Sequence, residues 1–162
     1  MRRVRFGLAA VAALVEAAIA AAITLSSSHE SRPWLVVSFA LVLGLSFVGA
    51  GLVSLWRQSD NTIGFLLAST GYLFFLAALT EANGSWPFTI GGAVTNLPFV
   101  TFAALLLAYP DGSFTRAEKA LLAVGTFSAA GTNTFAALVS EQPNSTCDSC
   151  PSSAIALTNS PG

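Results

Sequence analysis

The chain has 162 residues, of which 54 % are hydrophobic and only 9 % charged, with a formal net charge of −1. A soluble domain usually carries about 25 % charged residues, so a water-soluble globule of this composition lacks the polar surface to cover itself. A mean hydropathy of +0.69 makes it an integral membrane protein, and the absence of a basic field argues against nucleic acid as a partner.

A helix needs about 20 apolar residues to cross a hydrocarbon core of roughly 30 Å. Five such stretches follow one another, at residues 6–25, 34–55, 63–79, 88–109 and 120–139. The expected fold is therefore all-α, a polytopic transmembrane bundle over 1–139 followed by a cysteine-containing tail over 140–162. Continuous runs such as "FVTFAALLLAY" exclude the alternating strands of a β-barrel, and only helices satisfy their own backbone polar groups within one segment. The first stretch also resembles a secretory signal, with a basic start and small residues at Ala18–Ala20. Its length and the interruption by Glu16 favour an uncleaved span.

The turns between spans carry recognisable chemistry. In "YPDGSFTRAEKA", Pro110-Asp111-Gly112 reads as a turn, and Thr115 with Glu118 forms a capping box opening the last span. With the N-terminus inside, Arg2, Arg3, Arg5, Arg57, Arg116 and Lys119 share the cytoplasmic side, and only Arg32 lies outside. That is the distribution of the positive-inside rule, and Trp34, Trp56 and Trp86 sit at span ends, where indole rings prefer the interface. The expected location is the cytoplasmic (plasma) membrane, crossed several times, with the C-terminus outside.

Both cysteines fall in that external tail, as "CDSC" from Cys147 to Cys150. The compartment permits disulfides, and a local Cys147–Cys150 bridge is the expectation. A reversible redox couple is the alternative, since Pro151 suits the first turn of a helix whose N-terminus would lower the Cys150 thiol pKa. A zinc site needs four ligands, and the single histidine, His29, stands in another loop, so neither a metal nor a cofactor is expected. Asn83 and Asn144 both lie in Asn-x-Ser/Thr patterns, which are too short to assign a role.

Three segments in order, "WRQSDNTIGFLLASTGYLFFLAAL" from Trp56, "LLLAYPDGSFTRAEKALL" from Leu105 and "CDSCP" from Cys147, resemble the N-terminal membrane region of actinobacterial sensor histidine kinases. The resemblance covers about Leu55 to Pro151. It implies a signal-input module of a two-component system, working as a homodimer or with a signalling partner protein in the lipid bilayer. It also implies a kinase portion, for which this chain has neither a cytoplasmic phospho-accepting histidine nor a nucleotide loop. A sensor-like module without catalysis is therefore the expectation, with a small transporter or channel subunit, or a membrane thiol-redox protein using Cys147 and Cys150, as alternatives.

One acid lies deep in a span. Glu16 is about 15 Å from the inner boundary at 1.5 Å per residue, and such residues ordinarily face the bundle and mark function. Ser46, Tyr72, Thr101 and Ser128 come out at similar depth, roughly 12–14 Å, so a midplane polar layer around Glu16 is one reading. Chance placement of common hydroxyl residues is the other. Around Glu16, Ala9, Ala12, Ala13 and Ala20 form a small-residue face for helix contact, and Leu8, Val11 and Val15 face lipid. Further small-residue stripes run along span three (Gly64, Ala68, Gly71, Ala78) and span five (Gly125, Ala129, Thr132, Ala136), suited to packing within the chain or to dimerisation.

Overall fold

The computed structural model describes residues 2–139 and 150–157. It consists of helices α1 (Arg2–Leu25), α2 (Pro33–Arg57), α3 (Thr62–Ala77), α4 (Ser85–Val94), α5 (Leu97–Ala108) and α6 (Arg116–Val139), with a 3-10 turn, Ala78–Glu81, continuing α3. Five helical segments are long and apolar enough to cross a membrane, α4 and α5 together making the fourth. The protein is thus an all-helical, multi-pass membrane bundle, with no strands among the described residues.

Local chemistry sets the helix ends. Pro33 opens α2, where its missing N–H is one of the unbonded amides anyway. The Asn61 side chain accepts a hydrogen bond from the Ile63 N–H (3.0 Å) at the start of α3 and donates to Ser54 Oγ (2.7 Å) near the end of α2. One residue thereby caps a helix and ties two spans together. The capping box also forms: the Thr115 N–H donates to Glu118 Oε2 at 2.7 Å, and the Glu118 N–H reaches Thr115 Oγ1 at 3.3 Å. It extends the fifth span back to Arg116 rather than to residue 120. Gly112 completes the preceding turn with a φ of 68°, a conformation that favours glycine.

The fourth span, expected over 88–109, runs over Ser85–Ala108 and is interrupted once. Two residues, Thr95 and Asn96, separate α4 from α5. Pro98 is the cause: it has no N–H for the Val94 carbonyl, and its ring crowds the preceding turn.

α3 is the central helix, packed on α1, α2, α4 and α5, whereas α6 lies at the edge on α4 and α5. The core joins Ala13, Ala17 and Ala20 of α1, Val48 of α2 and Phe75 and Ala78 of the third span. The small face of α1 is therefore buried at Ala13, Ala17 and Ala20, while Ala12 is exposed and Ala9 half-buried. Leu8, Val11 and Val15 face outward, as read from the sequence.

The tightest seam is between α2 and α3. A Cβ at Gly71 would strike the Gly44 carbonyl and the Val48 backbone, and one at Gly51 would strike the Ala68 backbone. The small-residue stripe of span three thus serves packing within the chain. The stripe of span five does not: a Cβ at Gly125 meets nothing within 4 Å, and Thr132 is exposed. Phenylalanines fill the next layer, Phe47 against Phe74 and Phe102, and Phe74 against Phe99.

Candidate functional site

Chain alternation brings the loop after α1, the 3-10 turn, the start of α4, the end of α6 and the tail segment 150–157 to one end of the bundle. The loop is fastened by Asn83. Its Oδ1 accepts from the N–H and hydroxyl of Ser28 (3.0 and 2.9 Å), and its Nδ2 donates to the Ser26 carbonyl (2.7 Å). The Asn83 amide, part of a glycosylation-like pattern in sequence, is here committed to the fold.

That fastening folds the loop inward and buries His29. Its side chain is only 7 % exposed, and its Nε2 lies 3.3 Å from the Thr80 carbonyl and 3.6 Å from Glu81 Oε2. Ser27 Oγ also donates to Glu81 Oε2, at 3.4 Å, and the Phe88 ring meets the imidazole edge-to-face at 6.1 Å. His29 Nδ1 is buried with no hydrogen-bond partner.

A cavity of about 490 Å³ opens beside this group, lined among the described residues by His29, Glu30 and Glu81 on one side and by Phe88, Asn133 and Cys150 on others. Gly92 and Thr95, next to the break between α4 and α5, line it too. Asn133 Nδ2 donates to the Gly92 carbonyl at 2.9 Å, bridging α6 to α4 in the cavity wall. The tail is fastened to α4 and α6 beside it. The Ala154 N–H donates to Thr89 Oγ1 (3.0 Å), Ser153 Oγ to the Ala137 carbonyl (2.6 Å) and the Leu157 N–H to the Leu138 carbonyl (2.8 Å).

No protein-family model, curated protein or solved structure matches this chain.

The function must therefore be read from the site itself. A pocket of about 300–1,000 Å³ with a few convergent polar groups has the dimensions of a small-molecule site. Among the described residues no three or more histidine, cysteine or acidic side chains gather as a metal set.

The residues singled out from sequence divide. Cys150 lies on the cavity wall, whereas Cys147, and with it the expected Cys147–Cys150 pairing, lies outside the described residues. The proposed midplane layer does not assemble as one unit. Ser46 and Ser128 are exposed on the outer faces of α2 and α6. Thr101 accepts a 3.0 Å hydrogen bond from Thr70 and donates to the Pro98 carbonyl at 2.9 Å. Tyr72 donates to the Ala9 carbonyl at 2.6 Å. Glu16 itself lines a second, smaller and mostly apolar groove of about 170 Å³ with Ile19, Ile23 and Phe75, and its Oε2 is buried without a hydrogen-bond partner. Helical rise places residues at one depth but not on one face, and rotation about the helix axis separates Ser46 and Ser128 from the rest.

Sequence reasoning missed His29 as a site residue because it weighed the histidine only as a metal ligand. The available signal was topological. With five spans, residues 26–32 and 80–87 must share one end of the bundle, so His29, Glu30 and Glu81 are neighbours by alternation.

Proposed function

We propose that this protein is a sensory input module of the plasma membrane, with the N-terminus in the cytoplasm and the His29 cavity outside. Its role is binding and signalling, with no catalytic step of its own. The observation that carries the reading is the cavity between α4 and α6, with the tail acting as a cap hydrogen-bonded to both helices beside it. The cap hydrogen-bonds both helices, and α6 is the least buried span, with only Ala137 fully covered. Occupancy of the cavity therefore acts on the helix that the bundle holds least firmly, and α6 leads back across the membrane to the Arg116 turn. The resemblance of that turn and of the Trp56–Gly64 segment to sensor-kinase membrane regions supports the same assignment. Cys147 and Cys150 then form an external staple in the tail.

The test is hydrogen exchange on the full chain in nanodiscs, comparing wild type with Thr89→Val and Ser153→Ala, which detach the cap. The expected outcome is altered protection in the distant Gln58–Asn61 and Pro110–Thr115 turns; changes confined to the cavity end would sink the reading. Orientation is checked separately with a membrane-impermeant maleimide on intact cells. Labelling of the cysteines only after reduction is expected, and labelling only after lysis would reverse the topology.

A second reading, a small transporter subunit, is favoured by the break at Thr95–Asn96. Interrupted helices that line a cavity are a feature of transport sites. Uptake into proteoliposomes of a ligand shown to bind the cavity decides between the two.

A further inference from the structure

We propose that the groove beside Glu16 docks a transmembrane helix of a second protein, one that carries a basic side chain at the depth of Glu16. The proposal is independent of the His29 cavity and of the sensory reading.

Glu16 is the one acid deep in a span, about 15 Å from the inner boundary by helical rise. At that depth there is no water to bond, and ionisable groups pair with one another or with other polar groups. Within this chain Glu16 does neither. Its Oε2 is buried and without a partner. The side chain as a whole is half-buried and lines the groove, so the carboxyl is reached through Oε1. The donors nearest in depth are spent elsewhere. Tyr72 gives its hydroxyl hydrogen to the Ala9 carbonyl and Thr101 gives its own to the Pro98 carbonyl, while Ser46 and Ser128 face outward.

No base in the chain shares this depth either. All seven lysines and arginines stand in loops or within a turn of the span ends. A second copy of the chain would therefore bring another acid and no base to Glu16. Lipid acyl chains fill an apolar groove but offer no donor. The charge complement must come from a different protein.

The groove has the dimensions of a seat for one side chain. It lies between α1 and the third span, with Ile19, Ala20 and Ile23 on one wall and Phe75, Leu76 and Leu79 on the other. Its volume of about 170 Å³ is below the roughly 300–1,000 Å³ of a small-molecule pocket. Ile19 and Leu76, 52 % and 40 % exposed, mark the side open to lipid. From Glu16 to Ile23 the helix rises about 10 Å. That length lets the four-carbon stem of a lysine lie on apolar surface with its ammonium at the carboxylate. Ala12, exposed one turn before Glu16, lets a second backbone come close.

The test uses the full chain, with a donor fluorophore at its N-terminus, in phosphatidylcholine vesicles, where the lipid has no net charge. Acceptor-labelled synthetic helices of about 20 leucines stand in for the partner. One carries a single central lysine, one carries none, and one has the lysine moved two turns toward an end. Energy transfer is followed as each is titrated. The central-lysine helix is expected to associate saturably and about tenfold or more tightly than the all-leucine helix, as a charge-assisted contact allows, with the displaced lysine in between. Glu16→Leu should abolish the preference. Glu16→Gln, which keeps the shape but not the charge, should lose most of it and covers the case in which Glu16→Leu fails to fold. Equal association of the central-lysine and all-leucine helices, or a preference that survives both substitutions, overturns the proposal. Energy transfer between donor- and acceptor-labelled copies of the chain that vanishes in Glu16→Leu also overturns it, and makes a second copy the occupant of the groove.

Discussion

The two helix seams on either side of the bundle are built on opposite principles. Between α2 and α3, glycines at 44, 51, 64 and 71 bring backbones into contact, and the seam is filled by Val48, Ala68 and Phe75. Between α4 and α6, the helices are held by a side-chain bridge from Asn133 and by the tail, with a cavity between them. In a bilayer, lipid is as apolar as leucine, so association depends on close packing and interhelical hydrogen bonds rather than on hydrophobicity. The first seam relies on the former, with one hydrogen bond from Asn61 to Ser54 at its end, and the second on the latter. Rigidity thus lies on one side of α3 and space for a ligand on the other.

The largest break in this comparison should come from Gly71→Leu. The added side chain has no room against Gly44 and Val48, and overpacking of this kind costs about 1–3 kcal/mol or more. The matched change Gly125→Leu on α6 should stay within about 0.5 kcal/mol of wild type. Unfolding in mixed micelles measures both, and equal losses would mean that the seams do not differ. An opposite sign is expected from Glu16→Leu, which removes a buried carboxylate oxygen without a partner. It should raise stability by about 1–3 kcal/mol in the same assay, and a clear loss would show that the carboxyl group is satisfied after all.

Smaller effects sharpen the picture of the polar seam. Asn133→Leu should lower stability by about 0.6–1.7 kcal/mol, the range measured for hydrogen bonds between membrane helices. A loss well below that would mean that the tail alone holds α6 to α4. The least effect is expected for the pair Thr70 and Thr101, whose hydroxyls meet between α3 and α5. A double-mutant cycle through Thr70→Val and Thr101→Val should give a coupling of about 0.6 kcal/mol. Ser46→Ala and Ser128→Ala, both on outer faces, should give none.

Much of the candidate site was hidden in plain composition. His29, Glu30 and Glu81 are ordinary loop residues in sequence, and only the Asn83 clasp turns the loop so that the imidazole is buried against the 3-10 turn. The five residues of equal depth illustrate the reverse case. Depth follows from rise per residue, which sequence supplies, whereas the face a residue presents depends on how each helix is rotated in the bundle. Tyr72 and Thr101 turned inward and found partners on α1 and α3, and Ser46 and Ser128 turned outward.

What the amino-acid sequence determined by itself is the membrane class, the number of spans and the helix caps. Each depends on interactions within a short window: apolar length against the bilayer, and the Thr115–Glu118 pair against adjacent amides. What only the tertiary structure decided is which glycine stripe packs, where the bundle leaves a cavity, and that Cys150, His29 and Asn133 share its wall. These depend on contacts between different helices and the tail, such as Gly51 with Ala68, Asn133 with Gly92 and Ala154 with Thr89, and such contacts are set by helix rotation and packing, which no local pattern encodes.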